Sequence, residues 1–142
     1  MLNIITFAVG VGSVEELAAR QAQRARNDPP LRHQTRVTPK RAEEVLAGGS
    51  LYWVIGGIAR VRQRVRAIRP DTWDDGSACC ALELDPELVP VEPRAVKPFQ
   101  GWRYLEPGEA PLDRAQGFAE AQQGLDAMPA EMRRELAALG LL

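Results

Sequence analysis

The sequence predicts an α+β domain: a small, mostly antiparallel sheet with flanking helices and a C-terminal helix. A chain of 142 residues has the length of one domain and is long enough to bury a core. Its apolar fraction of 45% and charged fraction of 26% are typical of globular proteins. Short β-branched runs also alternate with segments of helical periodicity. We therefore expect one domain over 1–142, with an α+β core in 1–112 and a helical segment in 113–142.

The N-terminal third predicts a strand followed by a helix. The β-branched run "NIITFAVGV" is typical of a buried first strand. Ser13 and Glu16 have the spacing of a capping box, in which the two side chains satisfy backbone donors at a helix start. Apolar residues at helical spacing follow, so we expect a helix that ends before Asn27.

A polar, extended segment and a second helix come next. The polar segment is "LRHQTRV". Thr38 is a suitable helix cap and Pro39 suits a first helical turn. Gly48 and Gly49 then predict the end of this helix.

Residues 50–69, "SLYWVIGGIARVRQRVRAIR", fit either a helix or strands. Gly56 and Gly57 favour strands because each glycine costs about 1 kcal/mol in a helix interior. Tyr, Trp, Val and Ile in the first half are typical of strands, and an Asp-Gly turn signal follows. We interpret the region as strands 51–55 and 59–69, a turn at 71–77 and a strand at 78–84, with the helix as the alternative.

The remaining residues predict a connector and a helical end. Residues 85–112 hold six of the eleven prolines, so we expect a loop-rich connector. Its segment "PFQGWRYL" carries too much apolar area to remain in water. The last thirty residues have helical spacing and contain "PAEMRRELAALG".

Several motifs resemble a bacterial family of unknown function, DUF1489. They are "GGSLYWVI", "RQRV", "LDPELV" and "PFQGWRYL", and the tail "PAEMRRELAALGLL" fits as well. The resemblance covers residues 1–112 and the tail. It implies no activity, because the family has none assigned.

A second likeness is architectural. The segment "TPKRAEEVLAGGSLYWV" resembles PUA-like and ASCH-type domains, in which a short helix ending in glycine leads into a strand with charged residues. That likeness implies a PUA-like barrel with flanking helices as an alternative to the open sheet. It also implies RNA or nucleotide recognition.

Charge is distributed unevenly along the chain. Residues 31–69 carry nine basic and two acidic side chains, a net charge of +7, whereas residues 70–142 have a net charge of −8. In a strand, alternate residues share a face. We therefore expect four arginines on one face, with a spacing that suits phosphates, namely Arg60, Arg62, Arg64 and Arg66. Pairing of these arginines with the acidic last third is the alternative.

Aromatic residues close to these arginines are candidates for base stacking. Tyr52 and Trp53 point to opposite faces of a strand, so we expect one of them to be the more exposed. Trp102 and Arg103 lie in the second aromatic segment. The alternative is that these aromatics form the core. The predicted binding set is Arg60, Arg62, Arg64, Arg66, Tyr52, Trp102 and Arg103.

Two further hypotheses remain open. Lys40 with Glu43 is a weak candidate for an amide or nucleoside hydrolase site of the ASCH type. The C-terminal helix is a candidate surface for a protein partner. One His and two adjacent Cys match no zinc spacing, and we expect no metal and no cofactor.

The chain contains no run near the roughly 20 apolar residues of a spanning helix, and its N-terminus lacks a signal-peptide pattern. We therefore expect a cytoplasmic protein without membrane association. The arginines and the likeness to PUA-like domains suggest RNA or a nucleotide as its partner. The oligomeric state is left open.

Overall fold

The computed structural model describes residues 1–114. The predicted C-terminal helix lies almost entirely outside these described residues. Within them, the elements in chain order are β1 (Asn3–Phe7), α1 (Val14–Asn27), β2 (Arg32–Thr35), α2 (Ala42–Leu46), β3 (Ser50–Ile55), β4 (Ile58–Thr72), β5 (Ala78–Leu84), β6 (Val89–Ala95) and β7 (Trp102–Leu105). One 3-10 turn, Pro107–Glu109, follows.

The seven strands form one mixed sheet in the order β2-β5-β4-β3-β1-β7, with β6 paired to β4. Among the described strands, only β1 and β3 run parallel to each other, and the chain between them contains α1, β2 and α2. The other pairings are antiparallel. The described chain is therefore of the α+β class, with one long and one short helix.

The sheet curls into a half-barrel. The rings of His33 on β2 and Trp53 on β3 are 5.1 Å apart between centroids, although two strands separate β2 from β3 in the sheet. The two edge strands also approach each other, since Trp102 Nε1–H on β7 donates to the carbonyl of Val37 just after β2 (3.1 Å). We call the concave side the inner face and the convex side the outer face.

The long strand β4 confirms the strand interpretation of residues 59–69, and the helix alternative is wrong. Along β4, buried Val61, Gln63 and Val65 alternate with the four predicted arginines. Gly56 and Gly57 have positive φ angles of 60° and 77° and form the two-residue turn between β3 and β4. The two glycines thus close a hairpin.

Both faces of the sheet carry an apolar cluster. The inner cluster includes Leu17 of α1 and Val45 of α2, so both helices contribute to it. The outer cluster contains Ile5, Tyr52, Val54, Ala59, Val91 and Leu105. Because both faces are covered, β3 is buried along its whole length.

The first helix starts as the sequence predicts. Ser13 Oγ accepts a hydrogen bond from the Glu16 N–H (3.1 Å). The Glu16 carboxylate accepts from Gly12 N–H (2.9 Å), one residue before the position that a capping box predicts. The helix extends to Asn27, slightly beyond the predicted end.

The predicted start of the second helix is wrong. α2 begins at Ala42, its cap residue is Arg41, and Thr38 lies outside the helix. The Arg41 backbone N–H donates to the Tyr104 hydroxyl on β7 (3.0 Å). A tertiary contact therefore satisfies a donor at this helix start, where local spacing predicted a Thr38 cap.

Residues 85–112 hold more structure than the predicted connector, because β6 and β7 lie within them. Prolines 90 and 93 belong to β6, which pairs with β4 on one side and on the other side has an isolated bridge from Val91 to Asp113. A strand at an edge tolerates proline because one row of its N–H groups needs no partner. The predicted turn is also shorter than expected, since β4 continues to Thr72.

Candidate functional site

The predicted arginine row divides into paired and unpaired side chains. Arg62 forms two hydrogen bonds to the Asp113 carboxylate, both 2.7 Å long, and a third to Ser50 Oγ (3.0 Å). The ion pair raises the pKa of Arg62 and lowers that of Asp113. Arg66 pairs with Asp85 at 2.8 Å. Both guanidinium groups therefore already have a carboxylate partner.

The other two arginines of the row, Arg60 and Arg64, are exposed and have no ion pair with residues 1–114. The row is also not straight. Register shifts lie between Ala59 and Val61 and between Val65 and Ala67, which places Arg60 and Arg66 at irregularities of the strand. An evenly spaced row of four guanidinium groups is therefore absent from β4.

The expected difference in exposure between Tyr52 and Trp53 is wrong. They do point to opposite faces, but each is only 5% exposed. The expectation failed because the outer face is covered as well, by residues including Val91 and Leu105. The core alternative is correct for this pair.

A larger concave feature lies between the two open edges of the half-barrel. We call it the edge cleft. It has a volume of about 970 Å³ and is lined on one side by residues 33–37 and on the other by residues 99–104. Thr6 and Phe7 of β1 line it as well. A cavity of this size falls in the range of small-molecule sites.

Aromatic rings form one wall of the edge cleft. Trp102 and Tyr104 meet edge to face at 5.0 Å, and Phe7 lies 4.7 Å from Phe99. Trp73 stands on the opposite side, near the end of β4. These rings provide flat apolar surfaces on both sides of the cleft.

Cationic groups lie at the rim. The Arg103 guanidinium lies 4.8 Å above the Phe99 ring, and Arg36 is exposed on the opposite side. Neither forms an ion pair within residues 1–114. A smaller cavity of about 570 Å³ shares Arg36 and Trp73 with the cleft and also contains Asp75. The edge cleft thus joins available guanidinium groups to aromatic surfaces.

The only histidine of the chain also lines the edge cleft. Burial, assisted by the charge of Arg24, lowers the pKa of His33 to about 4. At neutral pH the imidazole is therefore uncharged and offers one hydrogen-bond donor and one acceptor. It adds a polar group to the cleft without adding a charge.

A buried polar network supports His33 from the inner face. Trp53 packs against the His33 ring, and its Nε1–H donates to Gln63 Oε1 (2.7 Å). Gln63 is fully buried and also exchanges two hydrogen bonds with Gln21 of α1. Its Nε2 donates to the carbonyl of Asp85 (3.0 Å). This network fixes the Trp53 ring, and through it the side of the edge cleft that His33 forms.

Two exposed valines stand at the same cleft. Val9 is 88% exposed and Val37 is 62% exposed, and both line the edge cleft. Contiguous exposed apolar patches mark interaction sites in soluble proteins, and these two valines add apolar area to the cleft. They support the edge cleft as a ligand site.

The candidate hydrolase residues do not belong to this cleft. Glu43 lies in α2 and Lys40 precedes that helix, and the hydrogen bonds found in residues 1–114 include none between them. The same part of the chain contains no group of three or more His, Cys, Asp or Glu side chains suited to a metal ion. None of the described helices has the length and apolar character needed to cross a membrane.

Of the seven predicted binding residues, only Trp102 and Arg103 line the edge cleft. Arg36, Trp73, Phe99 and His33 also line the cleft but were not part of the predicted binding set. Positions 36 and 102 are distant in the sequence, and only curling of the sheet brings them to one cavity. The density of aromatics in "PFQGWRYL" was the one local signal for this site.

The fold and the cleft define a small α+β half-barrel domain with a candidate ligand site between its open edges. The family model described as "Protein of unknown function (DUF1489)" matches residues 4–142, so the chain belongs to the DUF1489 family. This confirms the resemblance seen in the sequence motifs. Comparisons with curated proteins and with solved structures gave no match.

Proposed function

We propose that this protein binds single-stranded RNA, with an unpaired base in the edge cleft and neighbouring phosphates on the rim arginines. The observation that carries the proposal is the combination of aromatic rings with Arg36 and Arg103, which have no carboxylate partner among the described residues. Sequence-specific RNA recognition commonly places splayed bases on aromatic rings and guanidinium planes. Each stacked base contributes about 1–3 kcal/mol.

The polar groups inside the edge cleft suit an uncharged base better than a charged group of a ligand. Neutral His33 supplies one donor and one acceptor for the edge of a base. Gln34 Nε2 is already engaged by Asp71 and Thr72. Hydrogen bonds to a base edge therefore come mainly from His33 and from backbone groups of the open edge strands.

The proposal differs from the predicted arginine strand in its location but not in its ligand class. Arg62 and Arg66 are engaged by carboxylates, and the exposed Arg60 and Arg64 lie on the outer face, away from the edge cleft. A PUA-like arrangement of the half-barrel and a cytoplasmic setting, both predicted from the sequence, belong to this proposal. They are consistent with an RNA ligand.

A binding titration with matched charge changes tests the proposal. Fluorescence anisotropy of a labelled RNA of about ten nucleotides and mixed sequence compares Arg36→Ala/Arg103→Ala with Arg60→Ala/Arg64→Ala. Each double variant removes two positive charges, so nonspecific electrostatics change equally. We expect the cleft variant to lose at least about tenfold in affinity, because contacts to charged groups contribute about 1.5–3 kcal/mol each. The control should lose less than about threefold, as distant charges are screened.

Two results would contradict the proposal. One is a parent protein that does not bind the single strand, or binds it no better than the same RNA in a duplex. The other is a larger loss in the Arg60→Ala/Arg64→Ala variant, which would place the RNA on the outer face of β4. Circular dichroism of both variants verifies that they are folded.

A further inference from the structure

A second, smaller cavity lies on the outer face, away from the edge cleft. We call it the outer pocket. Its volume is about 290 Å³, and its polar lining consists of Asn3, Ser50, Tyr52, Arg62 and Asp113. The two cavities have no lining residue in common. Two residues of the predicted binding set, Tyr52 and Arg62, therefore meet at a site other than the edge cleft.

One buried donor at the outer pocket has no acceptor among residues 1–114. Asn3 is 1% exposed, and its Oδ1 accepts a hydrogen bond from Ser50 N–H (2.9 Å). This contact fixes the orientation of the amide, because a backbone N–H requires an acceptor. Asn3 Nδ2 is then the buried side-chain polar atom without a partner in residues 1–114. Such an unsatisfied group costs about 1–3 kcal/mol.

The charges around this donor are balanced. Asp113 accepts two of the Arg62 hydrogen bonds, and Ser50 Oγ accepts a third. The hydroxyl hydrogens of Ser50 and Tyr52 are further donors at the pocket. Burial raises the pKa of Tyr52, so this hydroxyl remains protonated at neutral pH. The outer pocket therefore has an excess of donors but no net positive charge.

We infer that the outer pocket binds a small uncharged ligand through a carbonyl oxygen, as in an amide or a lactam. A carbonyl oxygen supplies the acceptor that Asn3 Nδ2 lacks and has a second lone pair for the Tyr52 or Ser50 hydroxyl. An anion would need to replace Asp113 on Arg62 or remain beside its carboxylate, which is unfavourable. Pro111 and Leu112 add apolar lining for the rest of the ligand. This site does not depend on the RNA proposal.

The test uses 2-pyrrolidinone as the probe and two-dimensional ¹H–¹⁵N NMR of the full chain. We expect saturable shifts of the Asn3 side-chain NH₂ signals and of the Ser50 amide. Tyr52→Phe and Ser50→Ala each remove one hydroxyl, and we expect at least one of these variants to lose about threefold or more in affinity. Asn3→Asp keeps the acceptor for Ser50 N–H but removes the donor, and should abolish the shifts. If this variant does not fold, the two hydroxyl variants decide.

Arg103→Ala serves as the control, because it alters the edge cleft and should leave the lactam affinity unchanged. The inference is overturned if the shifts do not map to the outer pocket, or if they persist unchanged in both hydroxyl variants. It is also overturned if inorganic phosphate shifts the same signals at lower concentration than 2-pyrrolidinone, which would define an anion site. Because the probe is not RNA, failure here leaves the RNA titration unaffected.

Discussion

The edge cleft and the outer face of β4 both carry arginines, but the neighbours of these arginines differ. On the outer face, Arg62 and Arg66 lie against carboxylates. At the edge cleft, Arg103 lies over an aromatic ring, and no carboxylate of the described residues pairs with it or with Arg36. A carboxylate neutralises a guanidinium, whereas an aromatic ring holds it in place and leaves its charge available for a ligand. Neighbouring residues, rather than the number of arginines, therefore determine which guanidinium groups are available to an anion.

The largest effect expected is on stability, from the buried side of β4. Gln63→Leu leaves Trp53 Nε1–H and the Asp85 carbonyl without their partner. Each unsatisfied buried group costs about 1–3 kcal/mol, so we expect a loss of about 3 kcal/mol or more in the free energy of unfolding. Urea denaturation followed by tryptophan fluorescence measures this loss. The control is Arg64→Leu on the opposite face, which should change stability by less than about 0.5 kcal/mol. Equal effects of the two changes would show that the network does not support the cleft.

The second-largest effect is expected in the pH dependence of stability, which differs between His33 at the edge cleft and the Arg62–Asp113 pair on the outer face. The pKa of His33 is about 4 in the folded chain, against the ordinary histidine value of 6.5 that applies to the unfolded chain, so the unfolded chain binds the proton first as the pH falls. The contribution of the neutral His33 side chain to the free energy of unfolding is therefore fully present above pH 6.5. It declines between pH 6.5 and 4, by an amount on the order of 3 kcal/mol. His33→Gln should remove this dependence. The Arg62–Asp113 ion pair on the outer face behaves differently. Because the pKa of Asp113 is lowered, the contribution of this pair to stability is lost only at pH values below the ordinary aspartate value of 3.8.

NMR titration of the His33 ring measures this pKa directly. A folded-state pKa near 6.5, or a stability that stays constant from pH 6.5 to 4 in the parent chain, would contradict the burial of a neutral imidazole at the cleft. Arg24→Gln should raise the pKa slightly, since the charge of Arg24 is the smaller of its two causes.

A smaller effect is expected within the arginine row itself. Arg62→Met leaves Asp113 half-buried without its partner, and we expect a loss of about 1–3 kcal/mol. Arg64→Met, at an exposed position, should cost less than about 0.5 kcal/mol. The double variant Arg62→Met/Asp113→Leu should recover part of the loss, because no unpaired charge remains. Thermal denaturation of the parent and these three variants tests this, and identical effects of Arg62→Met and Arg64→Met would refute the division of the row.

The alternation of β4 was predictable because it is a local pattern. Arginines at 60, 62, 64 and 66 alternate with the apolar side chains at 61 and 65, and this alternation has the period of a strand. Two glycines also argued against a helix. The strands β6 and β7 were not predicted, because the six prolines of residues 85–112 indicated a loop-rich connector. Proline argues against an inner strand, but β6 lies at an edge.

The edge cleft was not predictable from local patterns. It depends on the hydrogen bond from Trp102 to the Val37 carbonyl and on the contact between Tyr104 and Arg41, both of which join residues far apart in the sequence. The carboxylate partners of the β4 arginines were not predictable either. The sequence showed only that the positive net charge of residues 31–69 is balanced by the negative net charge of residues 70–142. The acidic C-terminal third offered many candidates for Arg62, and the sequence could not single out Asp113.

Photocrosslinking tests the central claim most directly. A short single-stranded RNA containing 4-thiouridine is bound to the full chain, irradiated and digested, and mass spectrometry identifies the attached peptides. The account predicts crosslinks within residues 33–37 and 99–104, on the two sides of the edge cleft. Crosslinks confined to residues 60–66 would contradict it and would return the binding surface to the outer face of β4.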